Sequence, residues 1–131
     1  MTEINYLISR DGIKYSPPYV DESQMRRVDS LMVPPYEAKA GDIAFFGVPF
    51  AGLINSPVGA RSGPANVRRA LGYFKTYGIE LDLELKGNIR FADFGDVDVE
   101  PLDYNETFRR IDHVLTRILE KKLVPIVIGG S

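Results

Sequence analysis

Three apolar runs, each ending in glycine, constrain this chain more than any other feature. They are "DIAFFGVPF" from Asp42, "IRFADFGDV" from Ile89 to Val97, and "VPIVIGG" from Val124 to Gly130. Runs rich in Ile, Val and Phe with no polar alternation are read as strands covered on both faces. Two helical patterns separate them. In "SGPANVRRALGYFKTYG", Ser62 or Gly63 is placed to cap, Pro64 suits the first turn, and Val67, Leu71 and Phe74 form a stripe that Gly78 stops. In "DYNETFRRIDHVLTRILEKK", Asp103 and Glu106 have capping-box spacing, and Phe108, Ile111, Leu115, Ile118 and Leu119 line one face. Lys121 and Lys122 fall in its last turn, where positive charge complements the helix dipole.

Strand, helix, strand, helix, strand with connections of this length predicts a parallel sheet with right-handed crossovers, in an α/β three-layer sandwich. Ligands in such sheets bind beyond the carboxyl ends of the strands, so the loops after Gly47, Asp93 to Gly95, and Gly129 carry the functional interest. The last strand has no helix after it. It is expected to leave apolar surface and an edge uncovered, so the fold looks incomplete at Ser131.

Residues 1–41 read differently. Two Pro-Pro pairs, in "YSPPYVDE" and "LMVPPYEAKAG", predict an extended, irregular N-terminal arm, with a short helix around Ser23 to Leu31 placing Met25, Val28 and Met32 at helical spacing. Residues 42–131 form the α/β domain.

Composition removes several function classes. The net charge is -2 from 16 basic and 18 acidic residues, with no basic stripe for nucleic acid. No apolar stretch approaches the ~18 residues of a bilayer span, and the N-terminus has no secretory h-region. With no cysteine and one histidine, the chain supplies neither sulfur ligands nor a multi-histidine metal site and fits a cytoplasmic setting. His113, in the second helical pattern, reads as a surface or packing residue with no catalytic role.

The first loop, "GVPFAGLINSPVGARSGPANVRRA", sets Asn55, Ser56, Arg61 and Ser62 just before a helix N-terminus. It has neither the Gly-Lys-Ser/Thr of a Walker loop nor a dinucleotide glycine pattern. Structural glycines, or a small phosphate-binding loop, both fit. The second loop gathers Asp93, Asp96, Asp98 and Glu100. Such carboxylates either ligate hard cations or accept hydrogen bonds from backbone and arginine, and the second use is expected here.

Four motifs in order, "GVPF", "GARSGPANVRRAL", "DFGDV" and "VPIVIGGS", resemble the ureohydrolase family of arginases and agmatinases, and its agmatinase-type branch most. The resemblance runs from about Asp42 to Ser131. It implies a binuclear manganese centre whose bridging hydroxide attacks a guanidinium carbon, releasing urea and an amine. It also implies a homo-oligomer, trimer or hexamer, and a small guanidino substrate. Carried over, Gly59, Ala60, Arg61, Gly63, Pro64 and Arg68 match the substrate-side loop and helix opening, with Asn55 and Ser56 facing substrate. Asp93, Gly95 and Asp96 match a motif that supports the site floor, and Gly129 and Gly130 a tight turn beside the metals. The family's metal ligands, its Gly-Gly-Asp-His histidine and later Asp and His residues, are expected beyond this chain, on the rest of the fold in the same or another polypeptide. Ser131 stands where most members have the Asp before that histidine, and the exchange removes a charge that would orient the ligand. A non-catalytic half that serves as an assembly partner is the alternative reading.

Overall fold

The computed structural model describes Leu7–Ile8, residues 27–52 and residues 59–130. In chain order the strands are β1 (Leu7–Ile8), β2 (Met32–Val33), β3 (Ile43–Val48), β4 (Tyr77–Gly78), β5 (Leu83–Glu84), β6 (Phe91–Val97) and β7 (Val124–Gly129). The two α-helices are α1 (Gly63–Leu71), after β3, and α2 (Tyr104–Glu120), between β6 and β7. Among the described residues, no helix is long and apolar enough to cross a membrane.

β3 lies at the centre. It pairs in parallel with β6 on one edge and with β7 on the other, from Ile43 opposite Val124 to Val48 opposite Gly129. The two helices cover opposite faces, giving the three layers. On one face Ala44, Phe46 and Val48 meet Ala92 and Phe94 of β6 and Val114 and Ile118 of α2. Burying Phe46 and Ile118 completely contributes about 2–3 kcal/mol each. On the other face, Phe45 lies under Arg68 of α1.

Several sequence expectations need correction. The segment read as an outlying arm supplies two strands to the outer edge of β6: β1 antiparallel at Val97 and Asp96, and β2 parallel at Phe91 and Ala92. Of the helix expected around Ser23 to Leu31, residues 23–26 lie outside the described residues, and Val28–Leu31 is a 3-10 turn. That turn buries Val28 and runs straight into β2. Helix α1 stops at Gly72 rather than Gly78, so Phe74 is exposed instead of extending the apolar stripe. Ser62 makes no side-chain cap, because the 3-10 turn Ala60–Ser62 leads directly into the helix. The β4–β5 hairpin, between α1 and β6, falls where no strand was expected. In α2 Asp103 caps by accepting from the Glu106 amide at 2.9 Å, but the Glu106 carboxylate turns to Arg109 and Arg110 instead of closing the box. The buried face of α2 runs through Thr107, Val114 and Ile118, leaving Phe108 and Leu119 exposed.

Candidate functional site

The carboxyl ends of β3, β6 and β7 converge at one edge of the sheet, and glycines allow them to approach. A Cβ at Gly47, near the end of β3, would lie 2.5 Å from Pro64 Cβ and would overlap Asp96 Oδ1. A Cβ at Gly63 would lie 2.8 Å from the Gly129 carbonyl oxygen, and one at Gly130 would overlap the Phe50 backbone. The Gly130 amide donates to the Val48 carbonyl at 2.8 Å. Backbone thus packs on backbone at Gly63 and Gly130, and on the side chains of Asp96 and Pro64 at Gly47.

The acidic loop is organised by arginine. Regular alternation puts strand residues three apart on opposite faces. Along β6, however, the pairing with β3 shifts register: Phe45 opposes Asp93 but Gly47 opposes Asp96. Gly95 supplies the irregular turn at φ 78°. Both Asp93 and Asp96 therefore face α1, where Arg68, 5% exposed, receives them. Its guanidinium donates from Nε to Asp93 Oδ2 at 2.8 Å, from Nη2 to Asp93 Oδ1 at 3.0 Å, and from Nη1 to Asp96 Oδ1 at 2.7 Å. Nη2 also donates to the Gly95 carbonyl at 2.8 Å, and the Gly95 amide donates to Asp93 Oδ1 at 2.9 Å. Burial works to depress Arg68, but the hydrogen bonds and charges of Asp93 and Asp96 outweigh it and hold the guanidinium above its usual range. Phe45 offers its ring face 5.1 Å below.

Asp98 and Glu100 go elsewhere. Both lie 3.3 Å from Arg110 of α2, which also binds Glu106 at 2.8 Å. All four acids of the loop are thus engaged by arginine. Among the described residues no cluster of three or more His, Cys, Asp or Glu side chains could hold a metal ion. The described residues therefore do not fit a binuclear metal centre. His113 lies half-buried within α2.

Of the other candidates, Gly59 and Arg61 sit at the 3-10 turn before α1, with Arg61 exposed, and Asn55, Ser56 and Ser131 lie outside the described residues. Sequence reasoning missed Tyr104. Its hydroxyl donates to the Gly52 carbonyl at 2.6 Å, and its ring meets Phe50 edge-on with centroids 5.5 Å apart. Tyr104 and Gly52 are 52 positions apart, and no sequence pattern links them. Arg110 was missed too, and the signal that could have found it is Glu106, four residues before it on one helix. Phe50, Tyr104, Phe108, Ile111 and the Gly129–Gly130 turn line an apolar recess of about 200 Å³.

The family profile described as "Arginase family" matches residues 41–131, the stretch that builds this sheet edge. The chain belongs to the arginase family. Its relatives there include a formimidoylglutamase of Halalkalibacterium halodurans, 30% identical over 90% of this chain and 37% of its own length. An N(1)-aminopropylagmatine ureohydrolase of Thermococcus kodakarensis is 31% identical over 77% of this chain and 35% of its own. In three dimensions the chain follows a formimidoylglutamase of Bacillus subtilis, with TM-score 0.73 and 22% identity over 95% of this chain and 38% of that one. It also follows a Trypanosoma cruzi formiminoglutamase with bound Mn2+, with TM-score 0.67 and 26% identity over 82% of this chain and 37% of that one. The arginase-like α/β fold is thereby established. The chain spans a little over a third of the length of these relatives.

Proposed function

We propose that this arginase-family chain is the N-terminal part of a manganese-dependent amidinohydrolase that cleaves a guanidino compound into urea and an amine, as in the agmatinase-type branch. The observation that carries the reading is the coincidence of the family match, residues 41–131, with the three strand ends that the glycines draw together. The described residues supply the frame of a site and none of its metal ligands. In this reading the two manganese ions are held by the remainder of the fold, on the same or another chain. Exposed Val124, Ile126 and Val127, on a strand paired only with β3 among the described residues, support such a remainder. The proposed assembly is a cytoplasmic homo-oligomer, a trimer or hexamer.

A second reading concerns substrate. A relative named as a formimidoylglutamase, 30% identical over 90% of this chain, supports an amidine of the formimidoyl class as the alternative. Both substrates place an sp² carbon between nitrogens in front of the nucleophile. Intact mass of the protein from its native source comes first, against 14.7 kDa for these 131 residues. A mass more than twice that is expected. Manganese-dependent product release is then assayed with agmatine, guanidinobutyrate and formimidoylglutamate. Release from none of them overturns the enzymatic reading, and a mass of 14.7 kDa favours the assembly-partner alternative.

A further inference from the structure

We propose that Arg68 is a positioning residue: it sets the register break near the end of β6 and through it fixes the three strand-end loops as one unit. The catalytic part of this inference rests on the function proposed above. The structural part does not.

The bulge at Gly95 gathers two carboxylates on one buried face, an arrangement that repels itself without a cation between them. Arg68 supplies that cation and also binds the bulge carbonyl, so one side chain meets both acids and the irregular peptide at once. From Asp96 the contact continues. Asp96 Oδ1 and Pro64 both abut Gly47, and the neighbouring Gly63 abuts the Gly129 carbonyl. A shift of Asp96 is therefore passed to the start of α1 and to the turn after β7. Lysine cannot substitute, because a single ammonium lacks the planar fork that reaches three acceptors in different directions. With 5% exposure Arg68 is out of reach of substrate, so its effect is exerted through the loops it positions.

The test uses Arg68→Lys and Asp96→Asn, with two readouts. Amide exchange at Gly95 reports the bulge in the 131-residue chain. It is expected to quicken about tenfold or more in Arg68→Lys, which weakens the hold on Asp93 Oδ1. In Asp96→Asn, which leaves Asp93 in place, it is expected to stay within about twofold of wild type. In the longer polypeptide that passes the activity test above, both variants are expected to lose about tenfold or more in kcat, as misplacement of a site by about 1 Å costs up to ~100-fold. A residue that only stabilised the fold would lower the melting temperature and leave kcat of the folded enzyme unchanged. Unchanged Gly95 exchange in Arg68→Lys, or unchanged kcat in either variant, overturns the proposal. Should Arg68→Lys not fold, the kcat of Asp96→Asn decides. Should the wild type release no product, the function reading fails by itself, and Gly95 exchange still decides whether Arg68 sets the bulge.

Discussion

Replacing Gly47 by alanine puts the packing of the strand ends to the test. The new methyl would lie 2.5 Å from Pro64 Cβ and overlap Asp96 Oδ1, where ordinary contact begins at 3.4 Å. β3 is paired along both edges and cannot withdraw, so Pro64 and Asp96 must each give way by roughly 1 Å. The Arg68 to Asp96 bond is 2.7 Å long, and a displacement of that size takes it past useful hydrogen-bond range. Overpacking costs about 1–3 kcal/mol, and weakening a charge-assisted bond about 1.5–3 kcal/mol. Because the two share one movement they do not simply add, and about 3 kcal/mol is the expected loss. For a chain of this size that lowers the melting midpoint by about 10–15 °C. Thermal unfolding followed by circular dichroism measures it, with Gly59→Ala as the control, since no described atom lies within 4 Å of a Cβ there. A Gly47→Ala midpoint no further from wild type than the control would refute the reasoning.

Other consequences are open to simpler assays. Asp103→Ala removes the N-cap of α2 and should cost about 1 kcal/mol in urea denaturation. Glu106 is held down to about 2, first by its hydrogen bond to Arg109 and then by that to Arg110. Its stabilisation is complete above the ordinary carboxylate range and is lost as pH falls from about 4.5 toward 2, so Glu106→Gln should flatten the stability profile in that window. Asp29 is pushed up by burial, and among the described residues its Oδ1 has no hydrogen-bond partner. A raised carboxyl pKa means the folded chain holds this proton more tightly, so stability declines as pH rises from the unfolded value through the folded one. Asp29→Asn should accordingly raise the urea midpoint at neutral pH, with the gain shrinking as the pH is lowered toward about 4. An equal gain at both pH values would count against a charged Asp29 as its source.

What the sequence revealed were the features written in local pattern: apolar runs, a helix stripe, the Asp103 cap. What it hid depended on partners distant along the chain. β1 and β2 have two residues each, too few for periodicity, and exist because β6 offers them an edge. The acids of "DFGDVDVE" were visible as a cluster, but their division between Arg68 and Arg110 was not. That division follows from the bulge at Gly95, which reverses the parity of the strand after Phe94. Glycine at that position permits such a turn and does not announce it. The resemblance placed Arg68 at the family's helix opening, and its partners, two aspartates of β6 that lie 25 and 28 positions on, were not visible in the sequence.

β7 carries the same argument further. It is as apolar as β3 on both faces, but with no helix after it the strand was expected to leave apolar surface uncovered. From Ala44 to Val48, β3 is buried throughout, whereas Val124, Ile126 and Val127 of β7 remain 52%, 37% and 44% exposed. Residues at odd and even positions are both exposed, so cover is incomplete on both faces. An apolar run in a sequence thus records how much cover a strand needs, and burial records how much the described elements provide. For β3 and β6 the two agree. For β7, α1 and α2 each supply part of the cover among the described residues, and the strand still pairs with β3 along its whole length, from Val124 to Gly129. At the turn that follows, Gly63 leaves room for the Gly129 carbonyl and Gly130 for the backbone of Phe50, so glycine at these two positions lets the strand end approach its neighbours.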